Sequence, residues 1–297
     1  MKQTIALIGN PIAGGAAARK IEKAAKIIKN RGFDIRSMLT EKKGDAESFA
    51  KEISRSKSQI TDPRSLPLII AAGGDGTYNE VINGIAGTDI PMAILPLGTT
   101  NVLAKELNIS EDVDKAVDIA LSGNSHKVCL GRITLSITRY FLLMAGIGYD
   151  GETVYRVNTK IKKYSGKGAY MWSGIKTLLS WNPDKLTFNI DGKVFEGYSA
   201  IICNASKYAG NFTAAPDAQL KEPSLYAFIM QGKRRSDMVR YVSGIIAKRH
   251  LKFSDITYLQ AKNIEIKGNA HIQIDGDYLG KTPARIEIVP NALRLVY

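Results

Sequence analysis

Cysteine and histidine are scarce in this 297-residue chain: Cys129 and Cys203 are its two thiols, and His126, His250 and His271 its imidazoles. Two thiols cannot make a disulfide framework, which favours a reducing compartment. Three scattered histidines offer no zinc cluster. Long apolar runs are missing too. The longest uncharged ones, 66–72, 141–147 and 200–203, fall far short of the ~20 residues a membrane-spanning helix needs. The N-terminal run 5–8 is too short for a signal peptide and is followed at once by Asn10-Pro11. There is no internal repeat and no low-complexity segment. What remains is an ordinary globular composition, 44% hydrophobic and 23% charged with 27 Gly and 10 Pro. That is enough apolar surface for a sizeable core, and it excludes disorder as the main state. At ~100–200 residues per domain the length predicts two domains or one large one.

Charge is uneven along the chain. The formal net charge is +13, yet residues 1–127 carry 17 Lys/Arg against 15 Asp/Glu, whereas residues 128–297 carry 24 against 13. Such an excess attracts phosphates, nucleic acid or an anionic membrane surface, and equally suits a solvated basic face.

The first ~125 residues alternate between strand-like and helix-like patterns. Strands are expected at 4–8, 66–72 and 92–95. Helices are expected at 16–29, from Asp45 onward, at 77–85 and from Ser110 onward. The run 66–72 is continuously apolar, as for a strand buried on both sides of a parallel sheet. The pattern predicts a doubly wound α/β domain over residues 1–127. After His126 short apolar runs alternate with turns, at 128–130, 140–145, 185–190, 198–203, 225–230, 263–266, 271–274 and 284–289. Helices interrupt at about 168–180 and 236–247. Residues 128–297 therefore read as a mostly β domain. Asp191-Gly192 between two such runs is a hairpin signal.

The loops after the strands carry the chemistry. Gly73-Gly74-Asp75-Gly76-Thr77 follows a buried strand and opens a helix. Its glycines permit close backbone approach to a ligand, and the helix N-terminus suits a phosphate. A carboxylate there makes sense if a cation intervenes or if Asp75 handles a proton. Two similar loops, 9–15 and 96–101, follow adjacent strands, and together the three form one expected phosphate-binding crevice. The G-x-G-x-x-G at 146–151 lies in the β-rich half with no βαβ unit after it, so no dinucleotide site is expected there. Gly280-Lys281-Thr282 ends like a P-loop, but Asp275 replaces its first glycine. Asp275-Gly276-Asp277 at the end of a strand-like run is either a plain hairpin turn or a general base plus an electrostatic or metal partner for phosphoryl transfer.

These residues resemble a known family. GGDGTYNEVING at 73–84 is similar to the signature of the diacylglycerol kinase catalytic domain, found in bacterial soluble lipid kinases and, more distantly, in sphingosine and ceramide kinases. NPIAGG at 10–15, LTEKKGDA at 39–46, PLGTTN at 96–101, AGIGYDGETV at 145–154, GNFTAAPDA at 210–218 and IDGDYLGKTP at 274–283 extend the likeness over essentially the whole chain. GGDGT alone is shared with NAD kinases. The resemblance implies an ATP-dependent, magnesium-using lipid kinase with an α/β nucleotide domain, a β-sandwich-like domain and ATP in the crevice between them. It implies nucleotide contacts at Asn10, Pro11, Ile12, Ala13, Gly14, Thr40, Gly74, Asp75, Gly76, Thr77, Tyr78, Asn79, Glu80 and Thr99, with Asp75 acting through Mg2+ or near the γ-phosphate. The family's proton acceptor lies in a D-G-E motif, whose third position here is Asp277, with Asp275 as its competitor. The family's structural metal turn reads Lys221-Glu222-Pro223-Ser224 in this chain, so Glu222, with carbonyls of Gln219 and Ser224, is the remaining candidate set. A lipid kinase must visit the membrane. Two basic groups suit such visits. The first is Arg156, Lys160, Lys162, Lys163 and Lys167 among Tyr155, Tyr164, Tyr170 and Trp172, and the second lies between Lys233 and Lys252. The expected setting is cytoplasmic and peripheral to the membrane, without nucleic acid and with oligomeric state open. The competing readings are an NAD kinase-like soluble metabolite kinase and a catalytically silent nucleotide-binding regulator.

Overall fold

The computed structural model describes residues 4–56, 67–157 and 172–297. The chain divides into two compact units, Met1–Cys129 with Pro290–Tyr297, and Leu130–Val289. The sequence pattern predicts a single break after residue 127; the contacts additionally return the last eight residues to unit 1.

Unit 1 is built on four parallel strands, β1 (Thr4–Gly9), β2 (Asp34–Leu39), β3 (Leu68–Gly73) and β4 (Pro91–Pro96), in the order β2-β1-β3-β4. Its helices are α1 (Ala17–Asn30), α2 (Asp45–Ser56), α3 (Asp75–Ile85), α4 (Val102–Glu106) and α5 (Val113–Ser122). Helix α2 packs on α3, and α1 on α5. A sheet covered on both faces buries its central strands, and β1, β3 and β4 are buried almost throughout. Edge strand β2 is mostly exposed and polar, so it offers no apolar run to read. Helix α1 turns Ile21, Ala24 and Ile28 inward, the 3.6-residue spacing of an amphipathic helix. Helix α5 is capped by Asp112, whose carboxylate accepts from the Lys115 amide at 3.1 Å, and not by Ser110. Strand order reverses between β1 and β3, because the chain steps outward to β2 and then crosses back. Ligand crevices in doubly wound sheets open at the carboxyl ends of strands beside such a reversal.

Unit 2 is a β-sandwich. Its strands are β5 (Ser125–Thr134, in unit 2 from Leu130), β6 (Thr138–Phe141), β7 (Met144–Ile147), β8 (Leu186–Ile190), β9 (Lys193–Gly197), β10 (Ser199–Cys203), β11 (Lys207–Tyr208), β12 (Phe212–Thr213), β13 (Leu225–Met230), β14 (Ile256–Ala261), β15 (Asn263–Lys267), β16 (His271–Ile274), β17 (Asp277–Lys281) and β18 (Ala284–Val296, in unit 2 up to Val289). Helices α6 (Tyr149–Tyr155), α7 (172–179) and α8 (Arg235–Ile246) accompany them. One antiparallel sheet runs β14-β13-β10-β7-β16-β17; the other runs β18-β15-β8-β9, with β5 and β6 beyond β18. Alternate residues from the two sheets, among them Ile147, Ile202, Ile229 and Ile272 against Phe188, Ile264 and Ile286, form the core. Each such side chain contributes roughly 1.5–3 kcal/mol on burial. Asp191 and Gly192 both take positive φ, as a two-residue hairpin turn requires, and join β8 to β9.

Three expectations change here. The run 140–145 splits into β6 and β7. Helix α6 and strand β14 are not among the expected elements. The expected helix at 168–180 is seen as α7, and its residues 168–171 lie outside the described ones, as does residue 66 ahead of β3.

Candidate active site

At the carboxyl edge of unit 1 each strand extends its ladder by one more bond. The amide of Thr40 donates to Gly9 O at 2.8 Å and that of Asn10 to Ala72 O at 2.8 Å. The amides of Leu97 and Gly98 donate to Gly73 O at 2.8 and 3.1 Å. The loops after all four strands are thereby held side by side. They also touch. A Cβ on Gly14 would stand 2.5 Å from Leu97 O, and one on Gly98 would stand 2.6 Å from the Cα of Gly74. No side chain fits at either crossing, so glycine is what lets the loops after β1, β3 and β4 converge. Helix α3 starts in their midst. Its N-cap, Gly74, offers no side-chain cap, which leaves first-turn amides for an anion. Asn10 folds its own loop: its Oδ1 accepts from the Ile12 amide at 3.1 Å, and its Nδ2 lies 3.5 Å from Thr77 Oγ1.

Asp75 is the carboxylate of this cluster. Its two oxygens accept from the amides of Val102 and Leu103, each at 3.0 Å, the first residues of α4. It caps α4 from another loop and latches the β3 and β4 loops together. Burial pushes its carboxyl above the ordinary value, and those amides partly offset the push. Glu80 accepts from the Gly44 amide at 3.0 Å and steadies the loop ahead of α2.

Asn10, Gly14, Thr40, Gly74, Asp75 and Thr77 therefore meet at one edge. Pro11, Ala13 and Gly76 are half-buried around them, and Ile12 and Thr99 are exposed. The side chains of Tyr78 and Asn79 are buried in unit 1 instead. The Tyr78 hydroxyl donates to Gly73 O at 2.8 Å, with Leu95 O at 3.2 Å, and burial holds its pKa well above the ordinary value. Tyr78 thus braces β3 against β4 with its side chain. Gly84, the last residue of the GGDGTYNEVING run, serves packing: a Cβ there would meet Ala50 Cβ at 2.5 Å and Glu47 O at 2.8 Å across the α2–α3 contact.

In unit 2 the Asp275-Gly276 turn joins β16 to β17 with positive φ at both residues. The Asp275 carboxylate is buried and accepts three amides, from Leu142 at 2.9 Å, Leu143 at 2.9 Å and Met144 at 3.0 Å. It fixes the bend between β6 and β7, which is why the run 140–145 is not one strand. Asp277 opens β17 and is half-buried. Behind the turn runs a chain of polar groups. Gln273 Oε1 accepts from the Gly276 amide at 2.7 Å, and Gln273 Nε2 donates to Asp150 at 2.6 Å. The Tyr208 hydroxyl donates to the other Asp150 oxygen at 2.8 Å. Burial pushes the Asp150 carboxyl above its ordinary value, against those two hydrogen bonds. Sequence reasoning misses this brace, because 146–151 reads only as a false dinucleotide motif. The partners of Asp150 lie 58 and 123 residues away, beyond any local pattern.

Both halves of the chain resemble known proteins. Residues 4–133 match the model of the diacylglycerol kinase catalytic domain, and residues 144–297 that of the YegS C-terminal NAD kinase beta sandwich-like domain. A diacylglycerol kinase of Bacillus subtilis (strain 168) is 30% identical over 285 residues, covering 93% of this chain and 90% of that protein. The chain belongs to the diacylglycerol kinase family. A diacylglycerol kinase of Staphylococcus carnosus (strain TM300) is 28% identical over 293 residues, covering 96% of this chain and 92% of that protein. A crystal structure of a diacylglycerol kinase from Bacillus anthracis str. Sterne shares the fold at a TM-score of 0.68 and 20% identity, covering 100% of this chain and 97% of that one. As a diacylglycerol kinase family member the chain is an enzyme of the lipid kinase class.

In this diacylglycerol kinase family member the residues of the expected metal turn form one short backbone turn. The Glu222 amide donates to Gln219 O at 3.0 Å, closing an ordinary turn, and Ser224 is buried. No group of three or more His, Cys, Asp or Glu gathers among the described residues. A hard cation takes carboxylate and carbonyl oxygens alike, so Glu222 with the carbonyls of Gln219 and Ser224 stays the donor set expected for one.

Proposed function

We propose that this lipid kinase transfers the γ-phosphoryl group of ATP to the hydroxyl of a membrane lipid. Diacylglycerol is the first candidate, because the relatives above carry its name. The observation that carries the reading is the convergence of three glycine-crossed loops at the strand-order reversal, around the uncapped N-terminus of α3. Backbone amides there give a polyphosphate a charge-matched seat without a bulky side chain in the way. Asn10, Gly14, Thr40, Gly74 and Thr77 would line it. Magnesium, when bound with the nucleotide, supplies neutralisation of phosphate charge. Asp75 is the acid at hand for it, since each carboxylate oxygen keeps a lone pair beyond the amide it accepts.

Asp277 is the general base in this reading. Three amides surround Asp275 and leave it a strut, whereas Asp277 stands at the start of β17 with its turn braced by Gln273. Asp277 takes the hydroxyl proton as the lipid oxygen bonds to phosphorus, and the bond from phosphorus to the bridging oxygen breaks to release ADP. The lipid substrate places the enzyme at a membrane on the cytoplasmic side. No helix among the described residues is long and apolar enough to cross one.

The test is a transfer assay with γ-labelled ATP, magnesium and one lipid class at a time in detergent micelles, with NAD in a parallel tube. Label in an organic-phase product supports the proposal and names the lipid. Label in NADP alone, or in nothing despite ATP binding, contradicts it.

A further inference from the structure

Two helices of unit 2 wear their apolar residues on the outside. In α7 the buried positions are polar and the large apolar ones face out: Ser173 is 3% and Thr177 0% exposed, while Trp172, Ile175 and Leu179 are 53%, 45% and 65% exposed. The usual surface helix has the opposite arrangement, because burial rewards apolar groups. Lys176 lies on this outer side, with its ammonium 5.4 Å from the Trp172 ring centre. Helix α8 is apolar on two sides. Met238, Tyr241 and Ile245 pack inward, and Val239, Val242 and Ile246 form an exposed stripe at i, i+3 and i+7.

The charge around α8 says what the stripe meets. Lys233, Arg234 and Arg235 stand exposed at its N-terminus, where the helix dipole disfavours cations, so helix stability does not explain them. Lys248, Arg249 and Lys252 stand exposed just past its C-terminus. An apolar stripe between two cationic clusters, and an outward Trp beside a Lys, match the chemistry of a bilayer surface with anionic headgroups over acyl chains. We propose that the outward faces of α7 and α8 seat unit 2 on an anionic lipid bilayer. This deepens the lipid-kinase reading and rests on it, since it names the surface by which the enzyme reaches its substrate.

The test separates docking from chemistry. Full-length protein is floated with phosphatidylcholine vesicles lacking or containing about one-third phosphatidylglycerol. The proposal expects binding to the anionic vesicles, weakened by salt, and little to the neutral ones. Trp172→Ser with Leu179→Ser, Val239→Ser with Ile246→Ser, and Lys248→Gln with Arg249→Gln should each weaken it by about tenfold or more. Melting curves of the variants confirm folding, and transfer to a lipid dispersed in detergent micelles should stay at wild-type level. Equal binding to both vesicle types, or unchanged binding by all three double variants, overturns the proposal. So does a stable dimer that the serine variants dissolve, because then a second copy covers the stripes. Vesicle binding without any micellar transfer would instead contradict the kinase reading while leaving the docking surface standing.

Discussion

Two aspartates two positions apart carry different duties, and the hydrogen bonds separate them. Asp275 holds three backbone amides; Asp277 opens the next strand beside a braced turn. Asp275→Asn turns one acceptor into a donor facing amides and should lower unfolding stability by about 2–3 kcal/mol in urea titration. Asp277→Asn should leave stability nearly unchanged and reduce kcat by roughly 10²–10⁴. Asp150 supports a pH prediction. Its folded-state pKa lies above the ~3.9 of an unfolded aspartate, so between those two values the native state binds more protons and stability falls as pH rises. Asp150→Asn removes that slope. Its stability relative to the wild type should therefore improve from pH 4 to pH 7, and a gap independent of pH would contradict the assignment.

Helices and strands show why the GGDGTYNEVING run is so long. Its first half shapes the loop at the end of β3, while Tyr78 ties β3 to β4 and Gly84 lets α2 lie against α3. Gly84→Val would wedge that contact apart and should destabilise unit 1 by about 1–3 kcal/mol, measured by urea unfolding. The strands that can be read in advance, β1, β3 and β4, are those buried on both faces, whose continuous apolar runs need no partner to be recognised. Edge strand β2 cannot be read because its side chains face water. The glycine loops are legible as a group, since each follows a strand. The Asp75 latch is not, because its amide partners stand 27 and 28 residues on and nothing local marks them. The burial of the Tyr78 and Asn79 side chains is not legible for a related reason: lying in a functional motif does not say which way a side chain turns.

The molecule as a whole divides its labour along the charge gradient of its sequence. In the proposed reading the near-neutral first part supplies the phosphate seat from backbone amides rather than from lysines. The strongly basic second part carries the DGD turn, the sandwich core and the outward apolar helices. A nucleotide that binds the folded loops must stabilise the fold by mass action, so magnesium-ATP at 100 times its dissociation constant should raise unfolding free energy by about 2.7 kcal/mol. Gly98→Val, which cannot fit against Gly74, should abolish that gain. The most direct measurement is label transfer from γ-labelled ATP to diacylglycerol in mixed micelles by the wild type and by Asp277→Asn, with ATP binding followed in both. The expected result is labelled phosphatidic acid from the wild type, a loss of about 10²-fold or more in the variant, and equal ATP binding by the two. Transfer at an undiminished rate by Asp277→Asn, or no labelled lipid from a wild type that binds ATP, would contradict it.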